Sequence, residues 1–325
     1  MSVAERAVPE TYDGARAVLE SDRLTKKFGD IVAVRELSVR VREGEVFGLL
    51  GPNGAGKSTT INMICGLLKP DAGDIRLYGE MIRPGSAVVK KRVGVCPQDI
   101  VIWPKLTCLE QLVFMGTMYD MARPKAKERG LVLLADLGLA EKRNKRAATL
   151  SGGMKRRLNL ALALVHDPDV VILDEPEAGL DPQSRVLVRE YIRAMAKRKT
   201  VLFTTHNMDE AERVCDRVAI IDRGSLLTMD TPDHLKKTAG GGSVLEVQVD
   251  GRGDAAAAAD DIVRSGFQAV ATGPAIVVRA ADIVTAIPAV MDCLKKHGVT
   301  AVEVKLRENT LEDVFIALTG RRLRE

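Results

Sequence analysis

The apolar positions of the first 240 or so residues fall into short runs that stop at Gly or Asp and lead into helical spacing. Residues 46–50 (Val-Phe-Gly-Leu-Leu) run into Gly51, and residues 170–173 (Val-Val-Ile-Leu) run into Asp174. A continuous apolar run of this length, bounded by turn residues, is the pattern of a strand buried on both faces. Alternating with helices, such strands predict an α/β domain with a buried parallel core. Beyond residue 243 the pattern changes. It reads strand (244–249), helix (255–265), strand (267–271), strand (275–279), helix (282–297), strand (300–306), the βαββαβ order of a small ferredoxin-like α+β domain. Pro288 lies inside the second of these helices and argues against a straight one. A last short helix at 311–318 follows Asn309 and Thr310 as its cap. Between the two patterns, residues 238–243 (Thr-Ala-Gly-Gly-Gly-Ser) have the composition of a linker. The expected organisation is a flexible tail at 1–17, the α/β domain at 18–238, a linker at 239–243 and a C-terminal accessory domain at 244–325.

Composition narrows the class. With 46% apolar and 28% charged residues in 325, the chain is ordinary for a soluble globular protein. The net charge of +4 is small beside 48 basic and 44 acidic residues, which argues against a dedicated nucleic-acid binder. No stretch approaches the roughly 18 apolar residues of a spanning helix, so the chain is expected not to cross a membrane. The opening residues lack the apolar core of a secretory signal. Cys65, Cys96, Cys108, Cys215 and Cys293 show no metal-ligand spacing and read as free thiols in a reducing compartment.

The candidate chemistry begins at residues 51–59, GPNGAGKST, which fits the G-x-x-x-x-G-K-[ST] phosphate loop. Gly51, Asn53, Gly54, Ala55 and Gly56 let backbone N–H groups curl towards phosphate oxygens, and the helix that follows adds the positive end of its dipole. A side chain at Gly54 or Gly56 is expected to obstruct the approach of phosphate to those N–H groups. Lys57 can neutralise the β- and γ-phosphates, Ser58 can ligate Mg²⁺, and Thr59 completes the site. The strand at 170–173 then delivers Asp174 and Glu175 at its C-terminal end, the edge where parallel sheets bind ligands. Asp174 is placed to hold Mg²⁺ and Glu175 to take a proton from an attacking water. These residues predict a Mg²⁺-dependent nucleoside triphosphatase, but they do not choose among kinases, GTPases, helicases and transport motors.

Residues 150–158, LSGGMKRRL, resemble the LSGGQ signature of the ATP-binding subunits of ABC transporters, with Met154 where Gln is usual. The resemblance covers about 18–235. It implies a P-loop ATPase fold with a helical subdomain at about 99–150, and a head-to-tail dimer in which Ser151, Gly152 and Gly153 reach ATP held on the opposite subunit. On the same resemblance Gln98 is the Q-loop residue that reaches Mg²⁺ and the water, and His206 is the switch histidine on the γ-phosphate. Asp181 belongs to the D-loop, and Phe28 is the aromatic that stacks on adenine. His166, His234 and His297 are read as surface residues. Glu177 departs from the family, which has a small or hydroxylated residue there, and is expected to point outward.

The resemblance also implies partners: a transmembrane permease made as a separate polypeptide, and a second ABC ATPase, identical or not. The subunit is therefore expected at the cytoplasmic face of the membrane. Trp103, the only tryptophan, lies in the helical region and is a candidate for permease contact, with core packing as the alternative. The C-terminal sequence at 309–320 resembles the daunorubicin-resistance branch, associated with export of drugs, lipids and polysaccharides. A soluble ABC ATPase acting on ribosomes or nucleic acids is the alternative. It typically has two cassettes, a coiled-coil insertion or a basic face, and this sequence shows none of these.

Overall fold

The computed structural model describes residues 16–238, 244–280 and 283–320. The proposed linker at 239–243 and most of the proposed tail lie outside them. The chain forms two compact units that divide between Thr231 and Pro232.

The first unit begins with β1 (Ala17–Phe28) and β2 (Ile31–Arg42), followed by β3 (Val46–Leu50), α1 (Lys57–Ile64), β4 (Ala72–Leu77), β5 (Glu80–Met81), α2 (Ala87–Arg92) and β6 (Val93–Cys96). The helical region contributes α3 (Cys108–Met118) and α4 (Arg123–Asp136), which pack on each other. Helix α3 starts at a reciprocal cap: Thr107 accepts from Glu110 N while the Glu110 carboxylate accepts from Thr107 N. Then come α5 (Gly152–Leu164), β7 (Val170–Asp174), α6 (Pro182–Ala196), β8 (Thr200–Thr205), α7 (Met208–Val214), β9 (Arg217–Asp222) and β10 (Ser225–Asp230).

A six-stranded sheet runs β10-β9-β3-β8-β7-β6 and is parallel from β9 to β6. Every residue of β3, β7 and β8 is buried, as central parallel strands demand. A second sheet, β2-β1-β4-β5, is antiparallel. The parallel register positions the chemistry. Leu50 pairs with Thr205 and Asp174 with Thr204, so β3, β7 and β8 end level with one another. The loops that leave these ends are the three that carry Lys57, Glu175 and His206.

The second unit contains α8 (Pro232–Thr238), β11 (Val244–Val249), α9 (Ala255–Arg264), β12 (Gln268–Thr272), β13 (Ala275–Arg279), α10 (Ile283–Lys296), β14 (Ala301–Arg307) and α11 (Leu311–Thr319). The predicted βαββαβ order is present, and the antiparallel sheet order β12-β13-β11-β14 is the ferredoxin-like one. Helix α10 continues through Pro288, and Thr310 caps α11 in a capping box with Asp313. Leu245, Val247, Ile276 and Val278 pack under Ile262, Ala286 and Val290 as this unit's own core. Helix α8 contacts α11, so the second unit starts ahead of the small-residue run that the sequence suggested as the boundary.

Candidate active site

The loop after β3 is shaped by its glycines. A Cβ on Gly51 would lie 2.3 Å from the Ile221 carbonyl, and one on Gly56 would lie 2.4 Å from the Ala33 carbonyl, with φ at +102°. Gly54 has φ +79° and no protein atom within 4 Å of a Cβ built on it, so within the chain only Gly51 and Gly56 are closely approached. Asn53, Ala55 and Thr59 lie along the same turn and first helical residues. Inside the curl, Lys57 Nζ donates to Gly51 O at 2.7 Å and to Pro52 O at 3.1 Å, and it sits 3.8 Å from Glu175 Oε1. Burial pushes the Lys57 ammonium down from its ordinary pKa, against the pull of Glu175 and Asp174.

The acidic pair is held from two sides. Ser58 Oγ donates to Asp174 Oδ2 at 3.4 Å, and Thr204 Oγ1 donates to Asp174 Oδ1. Glu175 takes a left-handed backbone conformation, φ +47°, rare for a residue with a side chain. Its N–H donates to Thr204 O at 3.0 Å, which fixes the turn. The buried carboxylate then receives Gln98 Nε2 on Oε2 at 3.3 Å and faces His206 Nδ1 from Oε1 at 2.9 Å. His206 remains half-exposed. Lys57, Ser58, Gln98, Asp174, Glu175 and His206, far apart in sequence, thus form one constellation.

The remaining predicted residues lie elsewhere. Ser151 caps α5 by accepting from Met154 N at 3.3 Å, so position 154 enters through its backbone and the Gln-to-Met departure leaves the cap intact. Asp181 caps α6 through Ser184 N. A Cβ on Gly153 would lie 3.2 Å from Ser184 Oγ and 3.4 Å from Asp181 Oδ2, which puts the starts of the two helices side by side. Ser151, Gly152 and Asp181 are exposed, and none is bonded to the phosphate loop among the described residues. Phe28 ends β1, half-exposed, with Lys26 Nζ 5.6 Å from its ring centre. It is not a core residue.

Two expectations need correction. Glu177 does not point outward. It is buried beside Thr205 and Glu210, Oε1 has no hydrogen-bond partner, and burial raises its pKa to about 7. His166 is not a surface residue either. Half-buried, it stacks on Tyr119 at 3.8 Å, and burial lowers its pKa. His234 is exposed, and His297 lies partly buried, 3.6 Å from Asp261.

Sequence reasoning missed Arg156. Its buried guanidinium donates to the carbonyls of Pro176 (3.0 Å), Pro97 (2.9 Å), Gln98 (2.6 Å), Asp174 (2.8 Å) and Glu175. One side chain on the signature helix therefore anchors the backbone that carries both Gln98 and the acidic pair. All five cysteines are buried as free thiols. No helix among the described residues is long and apolar enough to cross a membrane.

A sequence profile of the ABC transporter family matches residues 34–178, from within β2 past the acidic pair. The linearmycin resistance ATP-binding protein LnrL of Bacillus subtilis (strain 168) is 36% identical over 316 residues, covering 95% of this chain and 100% of the relative. The chain belongs to the ABC transporter ATP-binding proteins. The Nod factor export ATP-binding protein I of Paraburkholderia xenovorans (strain LB400) is 40% identical over 314 residues, covering 95% and 99%. Both alignments run through the second unit, so the ferredoxin-like domain falls within the aligned length of these ABC subunits. Among solved structures, cbiO1 of Clostridium perfringens, part of the ABC transporter complex cbiONQ, superposes with a TM-score of 0.63 at 26% identity. It covers 68% of this chain and 91% of its own. The phosphate loop and acidic pair of this ABC ATPase thus lie at one edge of the parallel sheet of the family fold.

Proposed function

We propose that the chain powers an exporter of drugs, lipids or polysaccharides by hydrolysing ATP between two subunits beneath a separate permease. The observation that carries hydrolysis is the Glu175 carboxylate, gripped on both oxygens by Gln98 and His206 and 3.8 Å from the phosphate-loop lysine. Glu175 takes the proton of the attacking water. His206 orients that carboxylate and reaches the γ-phosphate from its half-exposed side. Lys57 exchanges its carbonyl partners for phosphate oxygens, and the backbone N–H groups from Gly54 to Ser58 cradle the same charge.

The donor set fits Mg²⁺. A hydroxyl and a carboxylate, already hydrogen-bonded to each other at Ser58 and Asp174, are hard oxygen ligands of the kind Mg²⁺ takes alongside phosphates, with Gln98 close by. The ion would neutralise charge on the β- and γ-phosphates. Ser151, Gly152 and Asp181 are exposed and Gly153 partly so, which suits contact with ATP held on a second subunit. Phe28, exposed as a flat ring, suits stacking on adenine.

Docking of the permease is assigned to an open cleft of about 1160 Å³ lined by Trp103, Phe114, Met118, Tyr119 and His166. Trp103 and Phe114 meet edge to face at 5.3 Å, leaving Trp103 36% exposed at the rim. On this reading the subunit works at the cytoplasmic face of the membrane. The relatives named for linearmycin resistance and Nod factor export support the cargo class. The test is to purify the complex from detergent extracts and measure Mg²⁺-dependent phosphate release with and without the co-purifying membrane subunit. Stimulation by that subunit, lost in Trp103→Ala while basal hydrolysis persists, is expected. Unchanged assembly and stimulation in the variant would remove the cleft from the proposal.

A further inference from the structure

The ferredoxin-like unit has an edge strand that its own helices leave uncovered. In β14, Val304 and Leu306 stand opposite Val247 and Leu245, which are buried in the core, and Val302 lies at a register shift between Glu303 and Ala301. Yet Val302 is 68%, Val304 43% and Leu306 52% exposed. On the other face of the same strand, Glu303 and Lys305 are both about half exposed. Among the described residues β14 pairs only with β11, so its outer edge of backbone N–H and C=O groups has no strand beside it. Exposed edges with an apolar face invite pairing with another chain.

The sequence of β14 specifies which chain. Laid antiparallel against its own copy with Val304 opposite Val304, the strand places Glu303 opposite Lys305 on one face, twice by symmetry. The same register sets Val304 against itself at the axis and brings Val302 opposite Leu306, also twice. Opposite charges and apolar pairs across strands both stabilise pairing, and a contact that is complementary to itself is the hallmark of two-fold assembly. A register shifted by two residues, with Glu303 opposite Glu303 or Lys305 opposite Lys305, would set like charges together.

We propose that β14 pairs antiparallel with β14 of a second copy of this chain, about a two-fold axis at Val304, joining two four-stranded sheets into one. This is a nucleotide-independent contact, separate from ATP-driven closure of the cassettes. A permanent link between the accessory domains keeps the two cassettes near each other when ATP is gone, raising their effective concentration for the next closure.

The test uses the full chain without nucleotide, followed by sedimentation velocity. Wild type is expected to dimerise. Glu303→Lys and Lys305→Glu alone are expected to weaken the dimer at least about tenfold, because each sets like charges opposite on both sides of the axis. An equimolar mixture of the two variants is expected to regain dimers, since the lysine introduced into one chain then faces the glutamate introduced into the other; damage to the fold of either variant would not be repaired by mixing. In otherwise wild-type protein, Val304→Cys offers a thiol at the axis while the five native cysteines are buried. A short bismaleimide is expected to link it into dimers, and to leave Val270→Cys on the opposite edge strand unlinked. Nucleotide-free wild type that stays monomeric, single variants that dimerise as wild type does, a mixture that remains apart, or cross-linking at 270 in place of 304 would each overturn the proposal.

Discussion

His206 Nδ1 stands 2.9 Å from Glu175 Oε1, so the residue that follows one strand of the parallel sheet holds the carboxylate that follows its neighbour. The two act through one oxygen, and their substitution effects are therefore expected not to add. Glu175→Gln should slow phosphate release by about 10²- to 10⁴-fold, the range for a lost general base, while ATP binding persists. His206→Ala should slow the wild type but add little to Glu175→Gln. A full additional loss in the double variant, measured by steady-state phosphate release, would show that the histidine works apart from the carboxylate.

The two central glycines of the phosphate loop should respond differently to one added methyl group. At Gly54 the cost is confined to the left-handed backbone, roughly 1–2 kcal/mol, because nothing lies within 4 Å of the new Cβ. At Gly56 the Cβ meets the Ala33 carbonyl at 2.4 Å, so the loop or β2 has to move. Thermal unfolding and nucleotide titration of Gly54→Ala and Gly56→Ala should rank them in that order, with Gly56→Ala the less stable and the weaker binder.

Arg156→Ala should cost at least ~3 kcal/mol, since it strands several buried carbonyls of the acidic turn and the Gln98 segment together. Arg156→Lys should recover little of this. An ammonium has three donors and no planar fork to span acceptors on two segments. Urea unfolding midpoints of the two variants would decide; wild-type stability in the lysine variant would show that charge alone suffices.

Glu177 sets a pH dependence of stability. Its carboxyl has an ordinary value of 4.5 and is pushed up to about 7, first by burial and then by Glu210. Between those values the folded chain holds a proton that the unfolded chain has released. This contribution is therefore complete below 4.5 and is lost as pH rises through about 7. Glu177→Gln removes the charge that has to be buried above that pH. It should be more stable than wild type at pH 8 by about 2–3 kcal/mol, and nearly equal to it at pH 5. Denaturant midpoints at the two pH values test the sign; equal differences at both would assign the effect to packing.

The parallel core, the order of the second unit and the strand-end positions of the acidic pair were legible because each rests on a period or an abrupt stop in the apolar pattern. The antiparallel sheet was not legible, because the pairing of β1 with β2 shifts register repeatedly and no strict alternation survives in the sequence. Side-chain direction after a turn was equally hidden. Lys155, Arg156 and Arg157 are alike in composition, yet only Arg156 lies on the side of α5 that faces the acidic turn. Glu177 follows Pro176 into a bend, and the bend turns its carboxyl inward. Gln98 and His206 were placed by resemblance; their meeting on the two oxygens of one carboxylate is a property of strand register, which neither local segment encodes.

Every bond that Arg156 makes ends on a main-chain oxygen. The anchorage is therefore indifferent to which side chains the anchored residues carry. Gln98 and Glu175 can be exchanged for inactive counterparts without loosening the turn that presents them. A stalled variant at either position keeps the wild-type scaffold, which makes such variants suitable for trapping the nucleotide-bound state.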